Sequence, residues 1–159
     1  MTGDARFEDA GEAPLRLLAT DPEDLTVVAS LLQDALFPIT EIRFDRGRRR
    51  LAILLNRFRW EDRGAAERQG RPYERVQTLL VINDVSAVSS QGVNRSDGDL
   101  ILSLLALEFQ ETADGAGDLL LVLAGDGALR VRVECLDLLV KDVTRPYRAP
   151  SGQAPRHPD

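Results

Sequence analysis

The sequence predicts an α+β fold: a curled antiparallel sheet of about six to seven strands with an N-terminal amphipathic helix and a short C-terminal helix. Three observations predict it. Apolar residues recur at three- and four-residue spacing after Asp21-Pro22. Beyond Pro38 the period drops to 2, as in strands with one buried face. The later segments are joined by short turns such as Asp45-Arg46-Gly47 and Gly125-Asp126-Gly127, and short turns make antiparallel neighbours.

Taken in order, Leu15 and Leu17 alternate with Arg16 and predict a short first strand. Asp21 can cap free amides, Pro22 suits the first helical position, and Glu23 and Asp24 suit the positive end of a helix dipole. Leu25, Val28, Leu32, Ala35 and Leu36 then carry one apolar face to about Leu36, and Phe37-Pro38 ends the helix. Strands follow at 40–44 and from Leu51 toward Trp60. Residues 61–72, with Gly64, Gly70 and Pro72, read as a loop. Val76 to Ile82 is apolar on both faces, which marks a central strand, and Asn83-Asp84 is a turn or bulge before Val85-Val88. The run 100–109 fits a buried strand or a buried helix by periodicity; its place between hairpin-like segments favours strand. Two strands flank Gly125-Asp126-Gly127, and Leu136, Leu139, Val140 and Val143 at helical spacing predict a closing helix. Residues 1–13 and 148–159 are too poor in apolar side chains to offset the entropy of ordering, so they read as disordered tails around one domain over 14–147.

Composition narrows the function classes. The 159 residues are 43% hydrophobic, ordinary for one globular domain. Cys135 is the only cysteine, so no internal disulfide can form, which suits a reducing compartment. No apolar run approaches the roughly 20 residues of a membrane helix, and no signal peptide is evident. The expectation is a cytoplasmic protein with no membrane contact. Net charge is −6, which disfavours nucleic acid, yet residues 43–75 hold eleven arginines against five acids. The Arg-rich 43–63 segment, with its Arg46-Gly-Arg48-Arg49-Arg50 cluster, is therefore the place for any weak nucleic-acid binding. A solvated hairpin tip explains it more simply.

A catalytic set is not expected. His157 is the sole histidine and falls in a tail, which removes a histidine-based triad; with one cysteine it also leaves no zinc site of the usual ligand types. No glycine loop opens onto a helix start, so no nucleotide cofactor is implied. Catalytic residues, metal and cofactors are accordingly assigned as none. The polar features that stand out are Gln33 and Asp34 at the end of the first helix, and the loop from Gln91 to Asp97, which contains Arg95 and has the donors, acceptors and glycine of a binding loop.

Leu32-Gln33-Asp34-Ala35, Leu55-Asn56-Arg57-Phe58-Arg59-Trp60-Glu61, Gln91-Gly92 with Leu102 to Ala106, and Ala124 to Ala128 with Val133-Glu134 form a series. It resembles a family of short alphaproteobacterial proteins known only as a domain of unknown function. The resemblance runs from about Leu15 to about Val143, and the Asn-Arg-Phe-x-Trp-Glu stretch is its most specific part. It implies a bacterial cytoplasmic protein and supplies no activity. Asn56, Arg57, Trp60 and Gln91 match the family pattern, so the resemblance points to them first, although core packing accounts for Trp60 equally well.

The expected function is a non-enzymatic protein-binding or assembly module, with a protein partner or self-association through a sheet edge or the 100–109 segment. The alternative is a small-molecule site or enzyme with a polar pocket around Arg57 and Gln91. The candidate residues for ligand or partner are Gln33, Asp34, Asn56, Arg57, Trp60, Gln91 and Arg95.

Overall fold

The computed structural model describes residues 13–155; the expected tail at 1–13, apart from Ala13, and His157 lie outside the described residues. Eleven strands and two short α-helices are found among the described residues. The strands are β1 Arg16–Ala19, β2 Leu36–Pro38, β3 Ile42–Asp45, β4 Arg50–Phe58, β5 Glu74–Ile82, β6 Val85–Gln91, β7 Ile101–Ala113, β8 Ala116–Leu123, β9 Ala128–Val133, β10 Leu138–Asp142 and β11 Tyr147–Arg148. The helices are α1 Pro22–Leu32 and α2 Arg63–Gln69. The α+β expectation is therefore corrected: antiparallel β-structure dominates, the sheet has more than six or seven strands, and the expected C-terminal helix is a strand.

Each departure has a local cause. Asp21 does cap a helix start, its carboxylate accepting the Asp24 amide at 2.8 Å. The helix then stops at Leu32 rather than running to Leu36. Asp34 adopts a left-handed conformation (φ 63°), which Asp tolerates better than most residues, and turns the chain out of the helix. Its amide donates to Leu104 O at 2.7 Å and Ala35 O accepts the Leu104 amide at 2.9 Å, so β7 captures what helical spacing assigned to α1. At the other end, Leu138 and Val140 are buried while Leu139 between them is half-buried, which is strand alternation. Ladder partners on both sides, β1 and β5, outweigh a short helical pattern that is marginal by itself. Residues 61–72 hold a 3₁₀ turn and α2, ended by Gly70 at φ 65°, whose amide reaches Ala66 O and Glu67 O. The strand reading of 100–109 agrees with β7.

So many strands do not stay in one open layer. The hydrogen-bonded order β1-β10-β5-β4-β2-β7-β8-β9-β6 folds over into two leaves. The first contains β1, β10, β5, β4, β3 and β11; the second contains β7, β8, β9 and β6; β2 bridges β4 and β7. At one corner β5 runs on into β6 and β9 into β10, so a single antiparallel pair serves both leaves. The bend is held by the Asn83 amide on Asp137 O, the Glu134 amide on Asp84 O and the Val85 amide on Arg49 O, all at 2.9–3.0 Å. The core lies between the leaves. Leu51, Ile53, Leu80, Ile82, Leu138 and Val140 from the first meet Leu104, Leu119, Leu121, Val131 and Val133 from the second. Leu25, Val28 and Leu32 of α1 join the same cluster.

Candidate functional site

The first leaf ends in a buried arginine. Arg57 is on β4 opposite Val76, in the row of inward-facing Leu51, Ile53 and Leu55, and its side chain is fully buried. A guanidinium cannot shed its charge in a protein, so burial demands anions. Nη1 and Nη2 donate to Glu61 at 2.9 and 2.8 Å, while Nε and Nη2 donate to Asp142 at 3.1 and 3.0 Å. Burial opposes the charged form, but the hydrogen bonds to Glu61 and Asp142 outweigh it and hold the Arg57 pKa above its usual value. Asp142 also accepts the Thr78 hydroxyl at 2.8 Å and the Leu15 amide at 2.9 Å, tying four strand segments to one carboxylate. The network continues outward. Arg59 pairs with Glu74 and lies 3.8 Å from Asp62, which takes a two-point contact from Arg71 at 3.0 and 3.2 Å. A cavity of about 460 Å³ opens beside it, with Arg59, Glu74, Asp142, Thr144 and Arg145 in its wall.

The candidate residues separate into three places. Trp60 Nε1 donates to Gln33 O at 2.9 Å, so the 3₁₀ turn after β4 clasps the end of α1. Its ring meets Phe58 edge-on at 4.7 Å, and Phe58 meets Tyr73 at 5.5 Å. Asn56 accepts from Arg75 Nε, and burial lowers the Arg75 pKa while nearby Tyr147 and Asp34 pull it back up. Gln33, Asp34, Asn56 and Trp60 thus gather near the outer side of β4. Arg57 is adjacent in sequence but points to the inner side, as successive strand residues must. Gln91 and Arg95 are elsewhere: Gln91 ends β6 opposite Ala128, and Arg95 follows in the exposed loop beyond it. Gln91 lines a cleft of about 130 Å³ with Ser89, Ser90, Leu120, Ala128 and Arg130, and Arg57 is not part of it. The Arg46–Arg50 tip is also dispersed, since Arg49 pairs with Glu134 at 2.6 Å, Arg50 reaches Asn83, and Arg46 stands over the Phe44 ring.

The residues that sequence reasoning missed lie on the outer faces. Across the second leaf, outward rows read Ser89-Arg130-Leu120-Glu108 and Ala87-Arg132-Asp118-Gln110, an ordinary wetted surface. Across the first leaf they read Leu18-Leu139-Val81-Ala52 and, one row on, Arg16-Lys141-Leu79-Leu54. None of these first-leaf residues belongs to the core cluster; Leu18 is exposed, and Leu139, Val81, Leu79 and Leu54 are half-buried. Beyond Asn56 and Gln77 the apolar surface continues into a cleft of about 380 Å³ containing Leu36, Pro38, Leu54 and Ile101. Leu18 and Ile101 are more than half exposed, at 57% and 56%. The signal for this was present in Val76–Ile82. Apolar residues on both faces do mark a strand with two neighbours, but here the second face, Leu79 and Val81, is half-buried and lies outside the core cluster.

Among the described residues no group of three or more His, Cys, Asp or Glu is placed to hold a metal ion, and no helix is long and apolar enough to cross a membrane. Fold and surface define a class: a bent two-leaf antiparallel β domain with a charged outer face and an apolar one. The family described as a protein of unknown function, DUF2948, matches residues 15–157, and the chain belongs to it. No curated protein and no solved structure matches the chain.

Proposed function

We propose that this protein is a non-enzymatic assembly module that pairs with a second copy of itself through the outer face of the first leaf. The carrying observation is the apolar outer face of the first leaf, where Leu18, Leu36 and Ile101 are exposed and Leu139, Val81, Leu79 and Leu54 are half-buried outside the core cluster. Contiguous apolar surface of this kind marks an interaction site in soluble proteins. A second copy suits it because its charges are self-complementary. Arg16 and Lys141 stand at one margin of the Leu79-Leu54 row, and Glu41, held only loosely by Arg43 at 3.8 Å, stands at the other. A two-fold axis through the row sets each margin against its opposite. A cytoplasmic setting belongs to the same reading, supported by the single cysteine. The alternative of a ligand pocket around Arg57 and Gln91 is the weaker reading, because Arg57 is saturated by its carboxylates and the cleft that Gln91 lines does not include it.

Sedimentation equilibrium of the full chain tests this. A dimer is expected in the micromolar range, and Leu54→Glu with Leu79→Glu turns it into a folded monomer with unchanged circular dichroism. A wild-type chain that stays monomeric at about 100 µM overturns the proposal.

A further inference from the structure

The two leaves are joined through β2 and β7 at one margin and at the corner where β5 runs into β6 and β9 into β10. At another place a seam is left open. Among the described residues β3 pairs with β4 alone and β6 with β9 alone, so each has one edge without a strand partner there. Side chains from both elements line a single cleft. Ile39 and Ile42 come from the β3 side, Val88, Ser89 and Ser90 from β6, and Leu129 of β9 forms its floor. The loop after β6 closes one end and brings Val93 and Arg95 to it. That loop is held by a backbone contact only glycine permits. Gly92 sits at φ 68°, where a side chain would be strained, and a Cβ on it would stand 2.8 Å from Asp126 O. The loop is therefore pinned to the β8–β9 hairpin, and Arg95 has a fixed base.

We infer that this seam binds an extended peptide segment bearing a carboxylate, which adds a strand to the free edge of β6, places apolar side chains in the cleft and pairs its carboxylate with Arg95. Three features select that occupant. A free strand edge presents unpaired amides and carbonyls on alternate residues, and another extended backbone is their natural complement. The cleft measures about 220 Å³, below the roughly 300 Å³ where small-molecule pockets begin, yet wide enough for one or two apolar side chains. Arg95 makes no hydrogen bond or ion pair with any described residue, whereas most arginines between Arg43 and Arg75 have partners. An exposed unpaired guanidinium at the rim of an apolar cleft favours a planar anion, which it can meet with two parallel hydrogen bonds. This surface is separate from the first leaf's outer face, so the two proposals stand or fall independently.

The test is selection of phage-displayed random dodecapeptides on the immobilised full chain, followed by fluorescence anisotropy of one enriched peptide. The expected result is enrichment of sequences alternating apolar and polar residues with an Asp, a Glu or a free C-terminal carboxylate. Affinity for the enriched peptide should fall at least tenfold in Arg95→Glu and in Ser90→Trp, which fills the cleft, and much less in Arg95→Lys. Leu54→Glu should bind as the wild type does, and peptide should slow amide exchange along Ala87–Gln91. Should Ser90→Trp unfold the chain, the exposed Arg95 pair decides alone. Enrichment no greater than on a blank surface overturns the inference, as does equal binding by Arg95→Glu. Loss of binding confined to Leu54→Glu also overturns it, because the peptide would then sit on the other face. Dissociation of a wild-type dimer by Ser90→Trp would make a second copy the occupant of the seam and overturn the peptide assignment.

Discussion

Two arginine–aspartate pairs in this molecule have almost the same geometry and opposite surroundings. Arg57 and Asp142 meet at 3.0 Å at the end of the first leaf, with side chains 0% and 4% exposed. Arg132 and Asp118 meet at 3.1 Å on the outer face of the second leaf, with 61% and 11% exposed. Coulomb's law alone would rank them equal. Water separates the two arginines: both aspartates are largely buried, but Arg132 keeps most of its hydration while Arg57 has none left to return to. Distance in a contact list therefore says little about what a charge does for the fold. The inner arginine is held by two carboxylates and a hydroxyl, since anything less would leave a buried ion uncompensated.

The sharpest way to break the comparison is Arg57→Met. It strands Asp142 against Leu15 and Thr78, and a loss of about 3–5 kcal/mol is expected in urea unfolding. Adding Asp142→Leu should recover part of that loss, because the two residues are coupled; strict additivity would show that they are not. Arg132→Ala is the control on the other side of the molecule. Its urea midpoint should shift far less than that of Arg57→Met, and the shift should fade at high salt. A loss comparable to that of Arg57→Met would dismiss water exposure as the deciding variable.

The smallest effect concerns Cys135, exposed beside the corner where the leaves join. Its thiol donates to Asp84 at 3.2 Å, and that hydrogen bond, helped by partial burial and by the Asp84 charge, holds the thiol pKa above its usual value. A folded pKa above the unfolded one means the contribution is complete below the unfolded value and is lost as pH rises through the folded one. Asp84→Asn keeps a residue suited to φ 56° and removes the charge. Alkylation of Cys135 by iodoacetamide at pH 8 should then accelerate several-fold; an unchanged rate would separate the shift from Asp84.

Much of the strand content was legible because strand alternation and Asp-Gly turns are local. The tight turn at Gly125-Asp126-Gly127 joins β8 to β9, with Gly125 and Asp126 both at positive φ. The helix start at Asp21-Pro22 is equally local. What escaped the sequence was decided by distant partners. Leu136, Leu139, Val140 and Val143 fit a helix until β1 and β5 offer ladders on either side. The Ala35-Leu36 end of the helical pattern goes to β4 and β7 for the same reason. At the candidate site, Arg57 stood out in the sequence but for a surface role, and nothing in its neighbourhood named Asp142, which is 85 residues away along the chain. The half-buried outer face of the first leaf was spelled out in Leu79 and Val81 yet could not be told from a second core face.

The pairing of β1 with β10 sets the order in which this chain can be completed. Arg16 finds Lys141 and Ala19 finds Leu138, so among the described strands the first is paired with one more than a hundred residues later. At a translation rate of about 5–20 residues per second, roughly six seconds or more separate the emergence of β1 from that of β10. Through that interval α1 holds Leu25, Val28 and Leu32 without the strand that precedes it being docked, and Arg57 has Glu61 but not Asp142. Closure of such a long loop makes the N-terminal strand a late arrival in the fold.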